Sequence, residues 1–172
     1  MGSVMDHQYN LFKTHWGWFG LLGNDRGLIR TCLPVAHKEA VHSRMLSDFP
    51  SAEQSKKAFS ALQKAIEDYY KGHPVDFRDV AVCPDGFSEF RRTISTALKT
   101  ISYGKTVSYT QLAVLAGSPK AARAIGTVMA QNPLPLIIPC HRVIKADGTP
   151  GLFSTAGGIG TKIRMLELEK SI

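Results

Sequence analysis

At 172 residues, the chain has room for one domain of ordinary size or two small ones, and it is long enough to bury a hydrophobic core. Its net charge of +7 is unevenly distributed, since residues 1–85 hold 10 Lys and Arg against 10 Asp and Glu, whereas residues 86–172 hold 11 against 4. A basic half is typical of a protein that binds a polyanion, although a solvated basic face gives the same count. The sequence has neither a run of about 18 apolar residues nor a signal-peptide pattern. We therefore expect no membrane association and an intracellular location, cytoplasmic or in the nucleoid, or nuclear in a eukaryote.

The first third of the chain predicts a small sheet covered by a helix. Residues 9–34 alternate apolar and polar side chains, with a turn signal at 24–27, which predicts two or three antiparallel strands. Apolar residues then recur at helical spacing over residues 51–70, where Ser51 and Gln54 fit a capping box. The turn-rich segment 72–86 holds one short predicted strand, and we place a domain boundary there, between residues 1–85 and 86–172.

The second half begins with two capped helices. Ser88 fits the N-cap of a helix that runs to about Ile101. Ser108 and Gln111 form a second capping box, which puts Tyr109 in the first turn of the next helix. The fold class is thus α/β (α+β), with a small N-terminal antiparallel sheet and covering helix followed by a mostly helical C-terminal domain.

A helix-turn-helix occupies residues 108–131. Gly117 ends its first helix, and Ser118 with Pro119 predicts the start of the second. The second helix is rich in Ala and Gly, so its backbone can approach DNA closely, which favours minor-groove binding with weak sequence preference. Arg123 is its one long central side chain and suits the space left by a displaced base, although a solvated surface Arg gives the same pattern. The residues expected to contact DNA are Ser108, Lys120, Ala121, Ala122, Arg123 and Thr127.

Cys140 is the candidate nucleophile. Three cysteines cannot all pair, so we interpret them as free thiols in a reducing compartment. Cys32 and Cys83 fit buried structural positions, whereas Cys140 is followed at once by His141 and Arg142, which can favour a thiolate. The Cys and His spacings are poor matches to a zinc site, so we expect neither a metal nor a cofactor.

His141 is the candidate base beside this thiol. Successive side chains point in different directions, so a water bridge between His141 and Cys140 fits better than direct contact. A base usually needs an orienting carboxylate, and the final predicted helix, over 161–170, offers Glu167 and Glu169. Its packing side is assigned to Ile163 and Leu166, and this periodicity does not choose between the two carboxylates.

The C-terminal half resembles a known family. Its motifs SYTQLA, GSPKAARAIG and QNPLPLIIPCHRVI, followed by a Gly-Gly pair and a closing helix that ends in Glu, are similar to those of the O6-alkylguanine-DNA alkyltransferases, also called methylated-DNA-protein-cysteine methyltransferases. The resemblance implies direct repair of duplex DNA by a monomer. The alkyl group of a flipped-out O6-alkylguanine passes irreversibly to Cys140, so each molecule acts once.

The resemblance also implies a role for individual residues. His141 acts as the base through a water, Glu169 orients it, and Arg142 supports the site structurally. Tyr109 donates a proton to the departing guanine and helps to rotate its phosphate, and Arg123 replaces the flipped nucleotide. The substrate pocket is assigned to Asn132, Pro135, Val143, Ile144, Phe153 and Ala156.

The sequence departs from the family pattern in one loop, and three other functions are alternatives to alkyl transfer. The pocket loop, residues 153–158, is two residues longer than the aromatic-Ser-Gly-Gly loop of the best-known members. An alkyltransferase-like protein that recognises alkylated bases and recruits other repair factors is one alternative, which Cys140 argues against. A helix-turn-helix transcription factor would need more base-reading side chains. A cysteine protease or thiol transferase would not need Arg123.

Overall fold

The computed structural model describes residues 6–170 and confirms the mixed architecture of strands and helices. The chain divides into two compact units. The first holds the chain through Val75 together with Asp79–Cys83, and the second holds Asp76–Arg78 and the chain from Pro84 onward. Within the described residues, no helix is both long enough and apolar enough to cross a membrane.

The first unit is built on the predicted antiparallel sheet. Strands β1 (Gln8–Thr14), β2 (Gly17–Asn24) and β3 (Gly27–Val35) pair in sequence, and the short β4 (Glu53–Gln54) adds to β1 in parallel. The predicted turn joins β2 to β3, with the Arg26 backbone N–H donating to Asn24 Oδ1 at 2.9 Å. Three antiparallel strands are therefore confirmed.

Two helices, rather than one, accompany this sheet. Helix α1 (Lys38–Leu46), which the sequence did not predict, places Val41 and Met45 in one core cluster with Tyr9 and Leu11. Helix α2 (Ser60–Tyr70) contacts a different side chain of β1, Asn10, which lies between Tyr9 and Leu11 in the strand. Asn10 Nδ2 donates to Gln63 Oε1 of α2 at 2.8 Å. Successive strand residues face opposite sides, so packing on both faces buries β1 and β2 nearly continuously.

Two predictions for this part of the chain were wrong. Helix α2 begins at Ser60 and not at Ser51, because residues 53–54 pair with β1 and Ser51 caps no helix. The short strand expected within 72–86 is only a single bridge, Val82 to Leu28. In both places a backbone pairing with a distant strand overrides the local pattern.

The second unit is mostly helical, as predicted. Ser88 caps α3 by accepting a hydrogen bond from the Arg91 N–H at 3.2 Å, and the capping box of Ser108 and Gln111 forms in both directions. Two short strands pair in parallel. The elements are α3 (Glu89–Lys99), β5 (Val107–Ser108), α4 (Tyr109–Leu115), α5 (Ala122–Ala130), β6 (Val143–Ile144) and α6 (Gly158–Leu168).

Three helices differ from prediction at their boundaries. Helix α5 begins at Ala122, because the Ser118 N–H donates back to Ala113 O at 2.8 Å while Gly117 adopts a left-handed φ of 69°, so both residues close α4. Pro119 and the residues after it form a turn, and Ser118 is not an N-cap. Helix α3 ends at Lys99, two residues before the predicted end. Helix α6 starts at Gly158 rather than Thr161 and ends at Leu168.

Candidate active site

Cys140 opens a single turn of 3-10 helix, Cys140–Arg142, and Asn132 holds this turn in place. Asn132 Nδ2 donates to Ile138 O at 2.9 Å and to Cys140 Sγ at 3.1 Å, and its Oδ1 accepts from the Leu134 N–H at 3.0 Å. One side chain thus fixes the approach segment 134–138 and contacts the sulfur directly.

The Cys140 thiol is buried, with 4% of the residue exposed. Burial raises its pKa, against the opposing effects of the Asn132 hydrogen bond, the Lys162 charge and the backbone N–H groups of Cys140 and His141. Because the net direction is upward, the thiol is neutral at rest. A thiolate therefore requires a base that takes the proton.

His141 and Glu169 supply a base and its orienting carboxylate. Both side chains are fully buried, and His141 Nε2 lies 2.7 Å from Glu169 Oε1. Burial lowers the pKa of His141, and the opposing effect of Glu169 does not reverse this direction. Burial acts to raise the pKa of Glu169, but hydrogen bonds and charges from His141 and Arg142 outweigh it and lower that pKa to about 2.

These pKa shifts determine which nitrogen of the His141 imidazole carries the proton. An ionised Glu169 only accepts hydrogen bonds, so the neutral His141 ring donates from Nε2 and keeps a lone pair on Nδ1. Nδ1 is buried and makes no hydrogen bond to any residue in the described part of the chain. It is therefore the basic atom of the site.

Arg142 ties Glu169 to the backbone after α3. Its Nε and Nη2 each donate to the carboxylate at 3.0 Å, and its Nη1 donates to Ile101 O at 2.6 Å. The Gly104 N–H adds a further bond to Glu169 Oε2 at 3.1 Å. A bidentate Arg–carboxylate pair with an added backbone donor holds the carboxylate rigidly.

Lys162 is a site residue that the sequence analysis missed. It is 1% exposed, and its Nζ donates to Val143 O at 2.5 Å. Burial lowers its pKa to about 8, and the charge of Cys140 acts in the opposite direction. Its Nζ also lies 5.9 Å from the centre of the Phe153 ring. Lys162 is thus a buried cation that interacts with the nucleophile.

The spacing of α6 contained a signal for this residue. Lys162 precedes the buried Met165, Leu166 and Glu169 by three, four and seven positions, which places all four on one face of a helix. Glu167 lies off this face and is exposed. The same spacing therefore places Glu169 on the buried face of the helix and Glu167 outside it.

A cleft of about 500 Å³ opens onto Cys140. Tyr109 lies at its wall, and both burial and the charge of Cys140 raise the pKa of its hydroxyl. Arg123 and Thr127 reach the cleft from α5 with exposed side chains. The lining residues are Tyr109, Arg123, Gly126, Thr127, Met129, Ala130, Gln131, Cys140, Lys145, Leu152, Phe153 and Ser154.

The other sequence-predicted residues are not among those that line this cleft. Pro135 and Val143 are buried, and Ile144 pairs with Ser108 in the two-stranded sheet. Ala156 is exposed. The expected DNA contacts Lys120 and Ala121 precede α5, and Ala122, at its first position, is partly buried.

The described residues, 6–170, contain no group of three or more His, Cys, Asp or Glu side chains arranged to hold a metal ion. Cys32 and Cys83 are both buried in the first unit. Burial raises the pKa of Cys32, against the charge of Arg44. A buried thiol with a raised pKa stays protonated unless a base takes its proton.

Comparison with known proteins finds relatives of this chain in sequence and in structure. Residues 89–171 match the family model described as the 6-O-methylguanine DNA methyltransferase, DNA-binding domain. The methylated-DNA–protein-cysteine methyltransferase of Methanosarcina barkeri is 33% identical over 164 residues, which cover 95% of this chain and 97% of that protein.

Two solved structures are similar over nearly the whole length. The crystal structure of Mycobacterium tuberculosis O6-methylguanine methyltransferase has a TM-score of 0.77 at 33% identity, covering 96% of this chain and 93% of its own. The M. tuberculosis protein in complex with DNA has a TM-score of 0.76 at 33% identity, covering 95% and 93%.

Proposed function

The chain belongs to the methylated-DNA–protein-cysteine methyltransferase family, and from that membership we propose that it repairs DNA directly by moving the alkyl group of O6-alkylguanine to its own Cys140. One observation carries the assignment of the nucleophile. Cys140 lies on a cleft beside a buried His141–Glu169 pair, while Tyr109 and Arg123 line the same cleft. Cys32 and Cys83 are buried and belong to the other unit.

The first step forms the thiolate. The Cys140 proton passes through a water to His141 Nδ1, which leaves a thiolate and an imidazolium. The ionised Glu169 stabilises this imidazolium through the Nε2 hydrogen bond. Asn132 and Lys162 stabilise the new negative charge on sulfur, since each lowers the pKa of Cys140.

The second step transfers the alkyl group. The thiolate attacks the alkyl carbon in line, so the S–C bond forms as the C–O6 bond breaks and the electron pair passes to the guanine. Tyr109 donates its proton to the departing base, and the His141 proton later replaces it. The products are unmodified guanine and a thioether at Cys140. The thioether keeps no thiolate to regenerate, so each molecule acts once.

Access to the alkyl group requires base flipping. The O6 position lies inside the stacked duplex, so the nucleotide must leave the stack to reach a buried sulfur. Arg123 is exposed on α5 at the cleft, where a planar cation can fill the vacated space. The small residues of α5 allow the close backbone approach that minor-groove binding needs.

The substrate on this proposal is duplex DNA with O6-alkylguanine, and the active form is a monomer. The nucleophile, base, carboxylate and cleft all belong to one unit of one chain, so the chemistry needs no second copy. Such a substrate also implies a compartment that holds DNA, the nucleoid or the nucleus. Light scattering of the protein with and without duplex DNA would test the stoichiometry.

Intact mass with peptide mapping tests the reaction itself. The protein is incubated with one equivalent of duplex DNA that carries O6-methylguanine, beside an undamaged duplex as control. We expect the mass of one methyl group on Cys140 with the damaged duplex only. Preferential binding of the damaged duplex without methyl uptake would instead favour the recognition-only alternative, in which the longer loop at 153–158 blocks transfer.

A further inference from the structure

We infer that Lys145 is a phosphate-binding residue of the cleft, holding a phosphate that flanks the flipped nucleotide. This inference rests on the proposed function and adds to it a contact at the cleft that the sequence analysis did not identify. Lys145 follows strand β6 and lines the same cleft as Arg123 and Cys140. Its side chain is exposed.

The charge of the cleft fits a polyanion. Arg123 and Lys145 are the charged side chains among its lining residues in the described chain, and no carboxylate is among them. A cleft with cations and no anion attracts phosphate and orients it by charge. The two cations belong to different elements, since Arg123 lies on α5 and Lys145 follows β6.

The backbone of Lys145 is fixed by a tight turn. Its N–H donates to Thr149 O at 2.8 Å, and its carbonyl accepts from the Gly148 N–H at 3.0 Å. Asp147 lies two residues further along the turn, where its carboxylate accepts two hydrogen bonds from Thr149 and the Lys145 charge helps to lower its pKa. Lys145 makes no salt bridge of 4 Å or less to a residue in the described part of the chain, so its ammonium can bind an external anion.

The stem of Lys145 lies close to the Tyr109 hydroxyl. A Cβ placed on Gly151 would be 3.5 Å from Lys145 Cγ, 3.8 Å from Lys145 Cε and 3.3 Å from Tyr109 Oη. Both side chains therefore pack against the same glycine, which leaves room for them. A phosphate bound by Lys145 would therefore lie at the same edge of the cleft as Tyr109, the residue that the proposed function assigns to the departing base.

Salt dependence of DNA binding is the direct test. Binding to a damaged duplex is measured for the Cys140→Ser protein, which cannot react, alone and with Lys145→Gln, Lys145→Arg or Lys105→Gln added. Lys105 is an exposed lysine of the same unit outside the cleft lining, so it is the matched control. We expect Lys145→Gln to reduce the slope of log K against log salt by about 0.9 and binding at 0.1 M salt by about five- to tenfold.

A second readout excludes an effect on the chemistry. If Lys145 acted on the chemistry through Tyr109, Lys145→Gln would slow transfer from free O6-alkylguanine base as much as from duplex DNA. On the proposal, Lys145→Gln slows transfer from duplex DNA but not from the free base. Lys145→Arg, which keeps the positive charge, restores the rate with duplex DNA. Equal slowing on both substrates, or a salt slope equal to that of Lys105→Gln, would overturn it. Failure of the wild-type protein to take up a methyl group would overturn the proposed function instead.

Discussion

His141 and Glu169 are 28 residues apart in the chain, yet they meet through a 2.7 Å hydrogen bond with both side chains withdrawn from solvent. The same carboxylate accepts both Arg142 bonds and the Gly104 N–H. A group with this many buried partners supports both the fold and the base. Its removal therefore affects stability and transfer together.

Replacing Glu169 by Gln should destabilise the protein by about 3–5 kcal/mol, because Arg142 is left buried without its countercharge. Transfer should also slow, because the His141 imidazolium loses its stabilising charge. Urea unfolding and the transfer rate at saturating duplex measure the two effects. Glu167→Gln, at an exposed position on the same helix, is the control and should change neither.

Acid should destabilise the wild-type protein over a defined range. The folded-state pKa of Glu169, about 2, lies below its ordinary value of 4.5, so the unfolded chain binds the proton first and stability falls as the pH falls from 4.5 to about 2. The loss amounts to roughly 3 kcal/mol. The lowered pKa of His141 adds a loss that begins below its ordinary value of 6.5. In Glu169→Gln the component below pH 4.5 should be absent, and an unchanged slope there would contradict the assignment.

Replacing Lys162 by Met should slow transfer at neutral pH by roughly tenfold, because the cation no longer stabilises the Cys140 thiolate. The pKa of Lys162 is about 8, so this charge is present at pH 7 and is lost as the pH rises. A pH–rate profile with free alkylguanine base should show the wild type and the variant converging above pH 8. A constant ratio of rates across the profile would indicate a purely structural role.

Asn132 combines a scaffold role with a contact to sulfur, and two substitutions separate them. Asn132→Ala leaves the Leu134 N–H without its acceptor and removes one of the two hydrogen bonds to Ile138 O, so it should cost about 1–3 kcal/mol of stability and slow transfer. Asn132→Asp keeps the acceptor for Leu134 N but puts an anion beside Cys140 Sγ. We expect it to slow transfer more than Asn132→Ala does, because the anion raises the pKa of the thiol, with a comparable loss of stability measured by urea unfolding.

Arg123→Ala should slow transfer from duplex DNA by roughly tenfold to a hundredfold while leaving the reaction with free alkylguanine base unchanged, because only the duplex requires a flipped base to be replaced. Single-turnover rates on both substrates measure this difference. Arg92→Ala removes an exposed arginine of the same unit outside the cleft lining and is the control. Equal slowing on both substrates would remove the base-replacing role.

Cys140→Ser should abolish methyl uptake and retain binding to the damaged duplex. A hydroxyl is close in size to the thiol it replaces, so the buried turn should keep its shape, but it is a far weaker nucleophile. Mass spectrometry and a binding titration test the two halves of this statement. Loss of binding together with loss of transfer would indicate misfolding, which the unfolding curve of the same sample would detect.

Features that depend on neighbouring residues could be predicted from the sequence. Ser88 caps α3, and Ser108 with Gln111 forms the capping box of α4, because an N-cap needs only a side chain and backbone N–H groups within one turn. The candidate nucleophile and base are adjacent in the chain. The family itself followed from contiguous motifs in the C-terminal half.

Pairing and burial between distant residues were decided by the tertiary structure. Ser51 and Gln54 match a capping box, yet residues 53–54 pair with β1 and Ser51 caps no helix. Local patterns cannot resolve such competition, because the free energy of a backbone pair depends on a strand more than forty residues away.

The active site shows the same division. The chemical nature of Cys140 and His141 was evident in the sequence by itself, as were the candidate carboxylates, the helix-turn-helix and the basic second half. The folded chain brings Glu169 to the imidazole while Glu167 remains exposed, and it buries the Lys162 cation near the thiol, which fixes the charge and hydrogen bonding of the site. The physical reason is that pKa values and hydrogen bonds depend on desolvation and on which groups lie within a few ångströms, and these are set by packing across the whole unit.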